Sequence, residues 1–125
     1  MHDPYGLERF VAAQDPVFEQ VRAELRAGHK RTHWMWFIFP QMKGLGRSAM
    51  AEKYAIGSCE EAAAYLHHPV LGPRLRECTD LVNRIQGSAI EQIFEYPDDL
   101  KFRSCMTLFA EATSDNQVFK DALAK

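Results

Sequence analysis

Helix-start signals recur along this chain so densely that they leave little room for other secondary structure. Ser58 is followed by Glu61, Ser88 by Glu91 and Ser114 by Gln117. In each Ser-x-x-Glu/Gln box a hydroxyl and a carboxyl or amide can satisfy the free N–H groups of a first helical turn. Asp3-Pro4 and Asp15-Pro16 add two further starts, a cap residue before a proline whose missing N–H costs nothing at the first helical position. These signals predict helices over about 5–13, 16–27, 48–55, 59–67, 73–86, 89–94, 99–112 and 115–125, punctuated by Gly57, Pro69, Gly72, Gly87 and Pro97. No polar/apolar alternation marks a sheet. The predicted fold is all-α, a compact single-domain array of about seven or eight short helices over residues 1–125.

The second helix shows the pattern most clearly. Val17, Val21 and Leu25 stand four apart on one face, and Gly28 follows as a left-handed C-cap. The apolar string His-Trp-Met-Trp-Phe-Ile-Phe, from His33 to Phe39, is too short for its periodicity to separate helix from strand. Helix is the better reading, with Thr32 as its cap, because a lone strand would leave its backbone groups unpaired.

Composition excludes several function classes. The net charge of -2 arises from 15 basic and 17 acidic residues spread along the chain, so no basic stripe can track a long nucleic acid. The run from Trp34 to Phe39 falls far short of the roughly 20 apolar residues needed to span a bilayer, and no charged-then-apolar signal opens the chain. A cytoplasmic protein without a membrane partner, monomeric or a small homo-oligomer, is expected. Cys59, Cys78 and Cys105 are an odd set without a Cys-x-x-Cys pair, which predicts reduced, buried thiols rather than disulfides or a zinc ribbon. His29 and His33 lack an acidic partner, so no metal site is expected. His67 and His68 should cap carbonyls at a helix end before Pro69, and Asp98 and Asp99 should cap the helix after Pro97.

One segment suggests a ligand site. In "GLGRSA", Gly44 and Gly46 allow a tight turn, Ser48 caps the next helix, and Arg47 can join backbone N–H groups around an anion. No strand precedes the motif and no Gly-Lys-Ser/Thr follows, so neither a dinucleotide fold nor a P-loop is indicated. Just upstream lie four aromatics bracketed by His33 and Gln41. Most of these rings must be core, and Trp36 is the one assigned to stack on a ligand. Lys101, with Arg103, would supply a second cation if the fold brings it beside the turn. The expected partner is a phosphate-bearing small molecule of nucleotide or ADP-ribose type. No cofactor or catalytic residue is specified. The competing reading is a non-catalytic protein-interaction module whose aromatics are all core.

The stretches "HWMWFIFPQMKGLGRS", "EKYAIGSCEEAAAYLHHPVLGPRLREC" and "DDLKFRSCMTLFAEATSDNQVF" resemble DUF1810, a small all-α bacterial family of unknown function sometimes mislabelled calpastatin. The resemblance implies the all-α fold and carries no reaction. It also implies that a short C-terminal segment beyond Lys125 is lacking. Glu95 stands where glycine is expected and Cys105 where serine is expected, so no hydroxyl chemistry is implied at position 105. A fainter likeness of "SCMTLF" and "VFKDAL" to the NADAR group, linked to NAD and ADP-ribose chemistry, agrees with a nucleotide-type ligand.

Overall fold

The structure, a computed structural model, describes residues 3–125. It is all-α. The described residues form α1 (Glu8–Gln14), α2 (Phe18–Arg26), α3 (Met35–Ile38), α4 (Ala49–Lys53), α5 (Cys59–His67), α6 (Leu71–Asn83), α7 (Ile90–Ile93), α8 (Asp98–Ala112) and α9 (Gln117–Ala124). Each of the eight spans and the aromatic string holds one of these helices, and α3 and α7 are single turns of four residues. Helices α5, α6, α8 and α9 pack on one another, α2 lies on α6, and α1 and α3 flank the group. No helix among the described residues is long and apolar enough to cross a membrane.

Several capping signals are fulfilled, and others are used differently. Ser58 Oγ accepts from the Glu61 N–H at 3.0 Å, and Ser48 Oγ from Ala51 at 3.1 Å. Gly28, at φ 80°, closes α2 as expected: its N–H donates to Leu25 and the His29 N–H to Glu24, a paired C-terminal closure. Asp3 caps from further away than expected. Its carboxylate accepts from Leu7 and Glu8, so Pro4 and Tyr5 form a turn and α1 starts at Glu8.

Asp15 does not cap α2, because its carboxylate pairs with Arg74 at 2.8 Å. Ser88 does not cap α7 either; Gln92 Oε1 instead accepts from Ala89 N–H at 2.8 Å, which moves the start one residue along. At α9 Ser114 is displaced by Asn116, whose Nδ2 reaches back to the Ala110 carbonyl. His68 closes α5 through its backbone N–H, which donates to the Tyr65 carbonyl, while its Nδ1 accepts from Val70 and Leu71 at the start of α6. Pro97 occupies the cap position of α8, while Asp98 pairs with Lys30 at 2.9 Å.

The thiol reading also needs correction. Cys78 and Cys105 are buried, and burial pushes both thiols up, Cys78 to about 12, but Cys59 is exposed on the first turn of α5.

The aromatic string forms much of the core on the α8 side. Phe39 meets Phe102 edge-on at 4.9 Å, Phe94 stacks on Phe102 at 4.8 Å, and Trp34 packs edge-on against Phe94. A second aromatic group, Phe10, Tyr65 and Phe109, continues the core between α1, α5 and α8.

What orients the aromatic string is a buried carboxylate on α2. Glu24, only 3% exposed, accepts from the backbone N–H of Arg31 (2.7 Å) and Thr32 (3.0 Å), from Thr32 Oγ1 (2.6 Å), Gln20 Nε2 (2.9 Å) and Trp34 Nε1 (3.0 Å). Thr32 therefore does not cap α3; its hydroxyl belongs to Glu24. Burial alone would raise the Glu24 pKa, but hydrogen bonds from Thr32, Arg31 and Gln20 outweigh it and bring the group from 4.5 down to about 2.

Because the folded-state pKa lies below the unfolded one, the stabilisation is fully present above about pH 4.5 and is lost as pH falls towards 2. It amounts to about 3 kcal/mol. Glu24→Gln, which places an amide against these donors, should lower stability at pH 7 by roughly that amount and flatten the decline below pH 4.5. Chemical denaturation of both proteins from pH 7 to pH 2.5 checks this, and parallel profiles would show that Glu24 is not the titrating group.

Candidate functional site

The segment from Gln41 to Ser48 is held at both ends. Ile56 N–H donates to the Gln41 carbonyl and Lys43 N–H to the Ile56 carbonyl, each at 2.8 Å, making a single parallel bridge between Met42 and Ile56. Arg9 secures the far side of α4. Its Nε donates to the Lys53 carbonyl, Nη2 to the Ala55 carbonyl and to Glu61, and Nη1 to the Tyr5 and Gly6 carbonyls. All five N–H groups of the guanidinium are thereby used to fasten the α4 loop to α1 and α5.

Within this frame the two glycines have different reasons. Gly44 takes a φ of 96° with open space around its Cα. Gly46 is required by packing: a Cβ there would stand 2.6 Å from the Cβ of Ala51, so the turn can lie against α4 only without a side chain. Ser48 caps as expected, but α4 has only five residues, and its Ala51 and Glu52 N–H groups are already bonded to the Ser48 hydroxyl and carbonyl. The hollow of about 460 Å³ beside the turn is lined by Lys43, Gly44, Gly46 and Glu52, so it presents both signs of charge. Arg47 is exposed and has no ion-pair partner among the described residues.

The four aromatics divide between core and surface. Trp34, Phe37 and Phe39 are buried, whereas Trp36 is half-buried and packs its inner edge on the core. Lys101 comes to Trp36, its ammonium 5.7 Å from the ring centroid and 3.8 Å from Asp98 Oδ1. His33 is exposed, and Gln41 contributes its backbone carbonyl to the bridge with Ile56.

The residues that sequence reading passed over are Ser104, Thr107, Leu108 and Glu111 on α8 and Met42 and Leu45 at the glycine turn. Met42 and Leu45 face Arg103, Ser104, Thr107, Leu108 and Glu111 across a groove of about 360 Å³. Lys101 stands three residues before Ser104, so Trp36 and its cation sit at one end of the same helix face. Arg103 is ion-paired with Glu91, whose carboxyl it holds below the usual range. Thr107 Oγ1 donates to the Arg103 carbonyl at 3.0 Å. The groove thus combines an apolar wall, hydroxyls and opposite charges. A signal existed in the spacing of Lys101, Ser104, Leu108 and Glu111, but nothing in the sequence indicated that Leu45, 60% exposed, would face them.

No group of three or more His, Cys, Asp or Glu among the described residues is arranged to hold a metal ion. Of the buried carboxylates, Glu24 and Glu61 are hydrogen-bonded into the fold, whereas Asp99 has a buried oxygen without a partner.

Fold and surface together define a small all-α domain with shallow, mixed-polarity grooves around a bridged glycine turn. The chain belongs to the family of proteins of unknown function DUF1810, whose model matches residues 4–125. It is similar to the conserved hypothetical protein Rv1873 from Mycobacterium tuberculosis, known from a crystal structure, with 62% identity, a TM-score of 0.97, and coverage of 98% of this chain and 87% of that one. Among curated proteins none matches. The family expected from the aromatic string is therefore the one found.

If Gly46 is fixed by the contact with Ala51, Gly46→Ala should lower the melting temperature, and Ala51→Gly should cost about 1 kcal/mol through helix propensity alone. The double variant should then be more stable than the sum of the two losses, since it removes the clash. Thermal unfolding of the four proteins closes this cycle; strict additivity would mean that the turn moves away from α4.

Proposed function

We propose that this protein binds a phosphate-bearing small molecule of nucleotide or ADP-ribose type along the surface between the glycine turn and α8, in the cytoplasm of a bacterium. The observation that carries this reading is Trp36. It is the one member of the aromatic wall left half-open, and Lys101 lies over its ring beside a groove with apolar and hydroxyl walls. A flat ring stacked on Trp36 would gain contact with an apolar face, and a phosphate would meet Lys101 or, at the other edge, Arg47. Met42 and Leu45 would cover the remaining apolar surface, with Ser104 and Thr107 as hydrogen-bonding groups.

In this reading the glycine turn is one wall of the site and the phosphate contact falls to Lys101 or Arg47, because the hollow at Gly44 and Gly46 also contains Glu52. His33 and Gln41 would set the orientation of the ligand at the Trp36 end.

A second reading, a non-catalytic interaction module, is favoured by three large apolar side chains left in water, Tyr96 (80% exposed), Leu45 (60%) and Leu100 (52%). The two readings give different outcomes. A thermal-shift panel of phosphate, sulfate, nucleotides, NAD and ADP-ribose should raise the melting temperature for at least one nucleotide-type compound. At a hundred times its dissociation constant the stabilisation is about 2.7 kcal/mol, roughly 10 °C for a chain of this size. Trp36→Leu, Lys101→Ala and Arg47→Ala should each reduce it. No response to any compound, together with concentration-dependent sedimentation, would favour the interaction module instead.

A further inference from the structure

We infer that the protein carries a second site, for a small organic anion, in the cleft between the C-terminal ends of α2 and α6. The cleft encloses about 560 Å³, within the range of small-molecule pockets. Its floor is apolar, formed by the fully buried Leu25 and the half-buried Leu81 and Ile85. Its rim is polar, formed by Arg26, Arg84, Gln86 and Ser88.

Charge distinguishes this cleft from the other hollows of the molecule. The α8 groove sets Arg103 against Glu111, the hollow at the glycine turn Lys43 against Glu52, the one between α5 and the end of α8 Arg76 against Asp115, and the one on α2 Glu24 against Arg31. The α2–α6 cleft is lined by two arginines and no carboxylate. Arg84 pairs with Asp80 through its Nε at 2.8 Å, and Arg26 is exposed without an ion-pair partner among the described residues. Their remaining N–H groups form forks suited to a carboxylate or phosphate.

The ends of two helices would ordinarily repel an anion through their free carbonyls. Here four of those carbonyls, Glu24, Leu25, Asp80 and Val82, accept backbone N–H groups. Gly28 and His29 close α2 onto Leu25 and Glu24; Arg84 and Ile85 close α6 onto Asp80 and Val82; and the Lys125 ammonium donates to the Ile85 carbonyl. The two guanidinium groups then decide the sign of the site. The occupant is a carboxylate or phosphate monoester on an apolar body of about the size of one ring, its body on Leu25, Leu81 and Ile85.

This inference does not depend on the Trp36 groove, and one titration separates the two. Amide chemical shifts of the full chain would be followed by heteronuclear NMR while benzoate, phenyl phosphate, inorganic phosphate or benzylamine is added. Benzoate or phenyl phosphate should move the amides of Gly28, Ile85, Gln86 and Ser88, and comparing the two tells carboxylate from phosphate recognition. The double variant Arg26→Gln with Arg84→Gln should weaken binding roughly tenfold or more, because charge-assisted hydrogen bonds are lost. Trp36→Leu should leave it unchanged. Both arginines are exposed, so the variant should keep its fold, visible as an unchanged spectrum elsewhere. The inference is overturned if no probe moves these amides, if benzylamine or inorganic phosphate binds as well as the organic anions, or if the double variant binds like wild type. Shifts confined to residues near Trp36 would sink this site while leaving the proposed function standing.

Discussion

The five hydrogen bonds that converge on Glu24 are the constraint from which the rest of the arrangement follows. A carboxylate buried without partners is costly, and one surrounded by donors is stable only while every donor stays in place. Here the donors come from α2 itself, from the loop after it and from the Trp34 indole. The loop after Gly28 therefore cannot drift, and Trp34 has one position. With Trp34 fixed, the next turn of chain must send Phe37 and Phe39 inward, and Trp36, on the opposite side of a four-residue helix, remains the half-open ring. Lys30 adds to this from the same loop: its N–H donates to the Ile93 carbonyl and its nearly buried ammonium pairs with Asp98, so the segment that fixes the aromatic string also ties α7 and α8 to it.

A second polar centre performs the same task on the other side of the aromatic string. Arg9 and the buried Glu61 form an ion pair at 3.1 Å whose remaining donors and acceptors are backbone groups, with Gly57 N–H on Glu61 and four carbonyls on Arg9. Such a pair contributes less through attraction between its charges than through the number of loop groups that would be left unsatisfied without it. Because α4 is too short to hold itself in place, it is this centre, together with the Met42–Ile56 bridge, that gives the glycine turn a defined position. Gln14 joins the two regions, its amide donating to the Phe37 carbonyl and to the Tyr65 hydroxyl in the core.

These polar centres explain which features could be read from the sequence. Helices specified by local signals were legible: the α2 stripe with Gly28, the Ser58 box and the Ser48 cap depend on residues within one turn of each other. Starts at Asp15, Ser88 and Ser114 were misassigned because a distant or neighbouring group competed for the same atoms, Arg74 for Asp15, Gln92 and Asn116 for the other two caps. Glu24 itself reads as an ordinary solvent-side glutamate, since four of its five donors follow it by seven to ten residues or sit in a loop whose path no local rule gives. The site shows the same division. A tight turn at Gly44 and Gly46 was legible, but that Gly46 is required by contact with Ala51, that Lys101 meets Trp36, and that Leu45 faces Ser104 and Leu108 depend on how α4 and α8 lie against the turn.

The distribution of ionisable groups also bears on what kind of activity this scaffold can support. Inside, Glu24, Glu61 and Lys30 are all committed to holding loops, and Cys78 and Cys105 are kept as thiols by burial. Asp99, in the first turn of α8, has a buried oxygen without a partner. A group that is needed to hold the fold cannot change its protonation or position during a reaction without loosening the loops attached to it. The side chains at the surface that could meet another molecule are the unpaired Arg26 and Arg47, Arg84 and Lys101 beside Asp80 and Asp98, the Ser104 hydroxyl and the half-open Trp36. That combination suits anionic and aromatic compounds better than acid–base chemistry by the interior, whose ionisable groups hold loops in place.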